Sequence, residues 1–269
     1  MSFRNNNSIV KTSSNSDGIL RITLNNPKNH NALSEEMMLN IQLALDESAA
    51  DKKIRVIIIS ADGPTFSAGH DLKELKAGRK NSDKGKGYFK EVMLKCSKLM
   101  QSIVNNPKPV ISEVAGVATA AGCQLVASCD LAYAGESARF ATPGVNIGLF
   151  CSTPMVALSR NVSNKHSMEM LLTGDLISSS KAAEIGLINK MINDNDLQNF
   201  VLERALKISK KSAMTLKIGK EAFYKQLDMT LSEAYDYASN VMVENMLKLD
   251  AEEGIDAFIN KRKPNWHDK

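Results

Sequence analysis

Two runs of small residues, Ser67–Asp71 (SAGHD) and Ala118–Cys123 (ATAAGC), share one design. Each leaves an apolar, strand-like stretch and opens a helix. Small side chains let a ligand approach the backbone closely. The first amides of a helix are unpaired and sit at the positive end of its dipole. Two such turns facing one another would hold a reacting oxygen that gains negative charge, as an oxyanion hole does. Either turn alone is ordinary strand-to-helix packing. A pair in one chain points to chemistry.

Proton carriers are scarce beside these turns. Gln124 is the first polar side chain along the second helix, and an amide carries no proton at neutral pH. His70 lies on the first turn and titrates near neutrality. A proton-carrying role for it stays open beside a purely structural one. Asp71 is placed to cap the helix that follows, and Asp130 to fix a turn. Cys151 reads as a small buried hydrophobe before it reads as a nucleophile.

The elements that must position these residues follow from periodicity. Ile19 to Leu24 alternates apolar and polar, as a half-buried strand does, and Pro27 ends it. Ser34 caps a helix in which Met37, Met38, Ile41 and Leu45 recur at helical spacing. IRVIIIS is a continuous β-branched run, which predicts a strand buried on both faces. Residues 88–104 form an amphipathic helix that NNPKP breaks. VISEVAG, DLAYAG and ARFATPG read as strands. Residues 154–172 and 178–185 read as helical, and three long amphipathic helices close the chain. Alternation followed by helices alone predicts an α/β domain with a helical appendage. The boundaries expected are a flexible lead-in over 1–17, an α/β core over 18–200 and a helical region over 201–269.

Bulk properties exclude several classes. The chain has 269 residues with 34 basic and 30 acidic side chains, a net charge of +4. That near balance provides no field for nucleic acid. No apolar run reaches the length of a membrane span. The spacing of Cys96, Cys123, Cys129 and Cys151 fits neither a zinc site nor a disulfide framework, so no metal is expected and a reducing compartment is. The N-terminus has no apolar signal core. Cytoplasm in a bacterium or the mitochondrial matrix in a eukaryote are the compartments expected. No G-x-G-x-x-G follows a strand, which argues against a dinucleotide oxidoreductase.

From Gly18 to Trp266 the chain resembles the crotonase (enoyl-CoA hydratase/isomerase) superfamily. The resemblance is carried by LNNPKNHNALS, FSAGHDLKEL, KPVISEVAGVATAAGCQLVASCDLAYAGESARFATPGVNIGL, TGDLISSSKAAEIGLINKMI and EGIDAFINKRKPNW. It implies a superhelix of ββα turns with a C-terminal helical trimerisation region, and a homotrimer or dimer of trimers. It implies an acyl-CoA substrate whose thioester carbonyl rests on the amides of His70 and Ala121. By the same resemblance Lys28, Asn29, His30, Ala68, Asp71, Leu72 and Lys73 fall where the family meets CoA. No cofactor is implied beyond the coenzyme A that the substrate carries.

Two positions depart from the hydratase pattern. The family's two glutamates, which handle the protons of water, align with Gln124 and Gly144. A positioned acid or base is worth roughly 10²–10⁴ in rate, so weak hydration of simple enoyl thioesters is expected. Gly144 is expected to leave a hole where a carboxylate side chain would sit. Three functions stay open: an enolate-stabilising enzyme of acyl-CoA metabolism, a malonyl-type acyl-CoA decarboxylase, and a non-catalytic acyl-CoA-binding protein.

Overall fold

The computed structural model describes residues 8–269. Strand β1 (Val10–Ser14) pairs antiparallel with β2 (Ile19–Leu24). The turn between them is held by Asn15, whose Oδ1 accepts from the amides of Asp17 and Ile19. Residues 10–14 of the expected flexible lead-in are therefore an edge strand, because Val10 packs its side chain into the core. Residues 1–7 of that expectation lie outside the described residues.

Helix α1 (Glu35–Ala50) begins at Ser34, whose Oγ accepts from Met37 N–H at 3.1 Å. Three strand–strand–helix units then follow. They are β3 (Val56–Ala61), β4 (Thr65–Ser67) and α2 (Leu72–Gly78); after helix α3 (Lys86–Val104), β5 (Val110–Val114), β6 (Val117–Thr119) and α4 (Ala121–Ser128); and β7 (Leu131–Gly135), β8 (Arg139–Ala141) and α5 (Ser152–Leu158). Helix α6 (Asn164–Thr173), β9 (Ile177–Ser178), α7 (Ser179–Glu184), β10 (Lys190–Ile192) and α8 (Leu197–Ser209) complete the body. The single helix expected over 154–172 is divided into α5 and α6. Asn161 holds the break by donating to Ala127 O (2.9 Å) and Ala157 O (2.8 Å).

The first strand of each unit joins one sheet and the second strand joins another. The large sheet has the order β1-β2-β3-β5-β7-β10 and the small one β4-β6-β8-β9. Between successive units all pairings are parallel. This is the expected ββα superhelix. The two faces of β3 explain its unbroken apolar run. Ile57 and Ile59 enter the main core, while Val56 and Ile58 pack under Leu197, Val201 and Ala205 of α8. Each such side chain contributes roughly 1.5–3 kcal/mol of transfer free energy. The expected boundary at residue 200 falls inside α8, which covers the large sheet.

Helices α9 (Ala213–Gln226) and α10 (Leu231–Met246) form the C-terminal part with α11 (Leu249–Ile259). Neither α9 nor α10 has a buried residue. Their apolar positions, among them Phe223, Leu231, Tyr235, Met242 and Val243, are exposed. Among the described residues no helix is long and apolar enough to cross a membrane.

Candidate active site

The first small-residue turn is fastened on three sides. Ser67 Oγ accepts from Gly69 N–H at 3.3 Å. Gly69 O accepts from Leu33 N–H at 2.7 Å, and His30 O accepts from Ala68 N–H at 3.0 Å. Asp71 caps α2, its Oδ1 accepting from Lys73 N–H (2.7 Å) and Glu74 N–H (3.3 Å). Gly69 has φ +87°, which a side chain rarely tolerates.

The strap over this turn depends on Asn31, a residue outside the sites expected above. It is fully buried and its φ is +48°. Its Nδ2 donates to Asp62 O (2.9 Å) and Thr65 O (2.7 Å), and its Oδ1 accepts from Asn26 N–H (2.7 Å). Asparagine tolerates the left-handed region better than most residues. A polar residue within NHNALS, between the strand and the helix cap, was the available signal. Lys28, Asn29 and His30 are exposed, as are Ala68, Leu72 and Lys73, and the His30 carbonyl joins the two segments at Ala68.

The second turn meets the first directly. Ala120 has φ +50° and ψ −120°, a strained conformation for a residue with a Cβ. Its N–H donates to Ala141 O at 2.9 Å, and its carbonyl accepts from Gln124 N–H at 3.0 Å. A Cβ built on Gly69 would meet Ala120 Cβ at 2.9 Å and Ala121 N at 3.0 Å. One built on Gly122 would meet Ser67 O at 2.2 Å. The turns are thus in contact, and only glycine fits at the seam. Among the described residues neither the His70 nor the Ala121 N–H is matched with a protein acceptor. Ala121 is the first residue of α4, so its amide carries the helix's positive end.

The side chains around this pair are poor proton carriers. The His70 ring is largely buried, and its Nε2 has no hydrogen-bond partner. Burial lowers its pKa and keeps it neutral at pH 7. Gln124 is buried, with only the Cys96 thiol near its Oε1 at 3.9 Å. It lines a cavity of about 1090 Å³ between α3, α4, α5 and α9. The hole expected at Gly144 is absent. A Cβ there would meet Leu149 O at 2.7 Å and Cys151 Sγ at 2.9 Å. The thiol accepts from Gly144 N–H at 3.3 Å. Burial raises the Cys151 pKa, so a thiolate nucleophile is disfavoured.

Asp130 does more than fix a turn. Its Oδ2 accepts from Val110 N–H and Lys220 Nζ, both at 2.7 Å, and its Oδ1 from Tyr224 OH at 2.9 Å. This ties α9 to the body. Burial pushes the Asp130 carboxyl up and the Lys220 ammonium down, each opposed by the other's charge.

Residues 14–269 match the Enoyl-CoA hydratase/isomerase family. The chain belongs to this family. It is 50% identical over 250 residues to human "Enoyl-CoA hydratase domain-containing protein 3, mitochondrial", covering 93% of this chain and 81% of that protein. The crystal structure of that human protein superposes with a TM-score of 0.91 at 48% identity, over 96% of this chain and 100% of the other. An enoyl-CoA hydratase from Mycobacterium smegmatis superposes with a TM-score of 0.92 at 42% identity, over 96% and 99%.

Proposed function

We propose that this protein binds an acyl-CoA thioester and stabilises its enolate on the backbone amides of His70 and Ala121. What supports this reading is the contact of the two turns at Gly69 and Ala120, each turn bearing an amide with no protein acceptor among the described residues. The rim of Lys28, Asn29, His30, Ala68, Asp71, Leu72 and Lys73 takes the CoA portion. Gln124 orients a water or the acyl group by hydrogen bonding.

Hydration of simple enoyl thioesters is weak in this reading. Gln124 carries no proton, and Gly144 presents a backbone amide already given to sulfur. The test is loss of enoyl absorbance on adding crotonyl-CoA. Turnover equal to that of glutamate-bearing hydratases refutes the weak-hydratase reading.

A second reaction has one observation in its favour. The space a side chain at position 144 would need is filled by the Cys151 thiol and the Leu149 carbonyl, so that position offers no carboxylate base. Loss of CO₂ from a malonyl-type thioester needs a stabilised enolate and no base. Release of CO₂ from methylmalonyl-CoA above background decides for it. Binding of these esters without turnover of either leaves a non-catalytic acyl-CoA binder.

The exposed apolar positions of α9 to α11, including Tyr235, Met246 and Phe258, support a homotrimer or dimer of trimers. Light scattering on the purified chain measures this. The human relative's name places that protein in mitochondria. The same compartment is proposed for this chain in a eukaryotic source, and imaging of a tagged chain tests it.

A further inference from the structure

The polar groups that line the cavity beside Gln124 divide into two sets. The first is consumed by the protein. Lys220 Nζ donates to Ile103 O (3.0 Å), Lys108 O (3.1 Å) and Asp130 Oδ2 (2.7 Å), which uses all three of its hydrogens. Tyr224 OH is given to Asp130 and Ser128 Oγ to Gln124 O. The Asn161 amide donates to two carbonyls.

The second set keeps unused capacity. Among the described residues Gln124 Nε2, the Thr153 hydroxyl and the Asn105 side-chain amide have no protein hydrogen-bond partner. Arg160 gives one N–H to Val156 O at 3.1 Å and forms no ion pair among the described residues. Lys217, Lys225, Glu221 and Asp228 also line the cavity, and none of the four forms an ion pair among the described residues. Of these unpaired cations, Arg160 is the neighbour in the chain of Asn161, which is bonded to Ala127 O of α4.

The order of these groups follows α4. Ala121, Gln124 and Ala127 succeed one another by about one turn. Asn161, bonded to Ala127 O, therefore lies about 9 Å along the helix from the oxyanion amide, and Arg160, its neighbour in the chain, lines the same cavity. A methyl-ended fatty chain laid along this path would desolvate the unused groups and give them nothing in return. A chain ending in a carboxylate would give the guanidinium a partner of matching geometry.

We propose that the acyl group carries a carboxylate at its far end, making the ligand a medium-length dicarboxylic acyl thioester, and that Arg160 selects it. The inference rests on the thioester reading above. Calorimetric titration of the purified protein with free CoA, octanoyl-CoA and suberyl-CoA (the same chain length with a terminal carboxylate) tests it. Suberyl-CoA should bind about tenfold or more tightly than octanoyl-CoA, and the preference should shrink at high salt. Arg160→Met should abolish the preference and leave affinity for free CoA unchanged. Equal affinities for the two esters, or a preference that survives Arg160→Met, overturn the inference while CoA binding upholds the thioester site. Failure of free CoA and both esters to bind overturns both.

Discussion

The backbone N–H of Gly144 donates to the thiol of Cys151, and that sulfur occupies the space a side chain at position 144 would need. A side chain at position 144 would find its place filled, on one side by sulfur and on the other by the Leu149 carbonyl. Gly144→Glu should then fail to restore hydration. It should also cost roughly 1–3 kcal/mol through overpacking. Crotonyl-CoA turnover and chemical denaturation of the variant check both parts.

Gln124 is the opposite case. It already faces the cavity, and glutamate has nearly its shape. Gln124→Glu should raise hydration of crotonyl-CoA by at least about 10²-fold, the lower end for a positioned acid–base group. An unchanged rate would show that one carboxylate does not suffice in this site.

Gly69→Ala probes the seam between the turns. Its Cβ would press on Ala120 Cβ and Ala121 N at about the distance where atoms overlap, and its φ is +87°. The two amides should lose their common aim. Loss of one oxyanion donor corresponds to roughly 2.7–4 kcal/mol, so any measurable turnover should fall by about 10²–10³. Thermal unfolding separates this from a global effect: the variant should remain folded.

Much of this site was legible because its signals are local. Small residues at Ser67–Asp71 and Ala118–Cys123 marked the turns, and Ser34 and Asp71 announced their helices. The β-branched run of β3 declared both of its buried faces. What escaped was set by contacts distant in sequence. Asn31 works by reaching Thr65 and Asp62, and nothing in its neighbours says so. Val10–Ser14 is polar enough to read as a tail and becomes a strand only by pairing with β2. The emptiness expected at Gly144 followed from a missing side chain, but packing density leaves few such voids. Cys151, seven residues on, closes this one.

The depressed pKa of His70 gives stability a direction with pH. The folded protein holds the ring neutral because burial penalises its charge. The unfolded chain takes up a proton below about 6.5. Between that value and the lower folded pKa the unfolded state binds more protons, so stability falls as pH falls. The melting temperature should therefore drop on acidification from neutrality through this window, before the carboxylates titrate. His70→Gln should flatten that part of the curve. A wild-type profile that is flat there, or identical to the variant's, would count against a neutral buried ring.

Lys220 and Asp130 decide how α9 is held. The helix buries no residue of its own, yet it roofs the cavity next to Gln124. Its firmest tie to the body is a pair whose side chains are 9% and 15% exposed. Removing one partner strands the other's charge, which typically costs 3–5 kcal/mol. Lys220→Met should show about that loss in urea denaturation. Tyr224→Phe, which removes one hydrogen bond to the carboxylate, should cost about 1.5–3 kcal/mol. The double variant Lys220→Met, Asp130→Leu strands no charge and should recover much of the loss. Recovery would assign the penalty to the orphaned carboxylate. A double variant as unstable as Lys220→Met would instead assign it to the contacts that Lys220 makes with Ile103 O and Lys108 O at the end of α3.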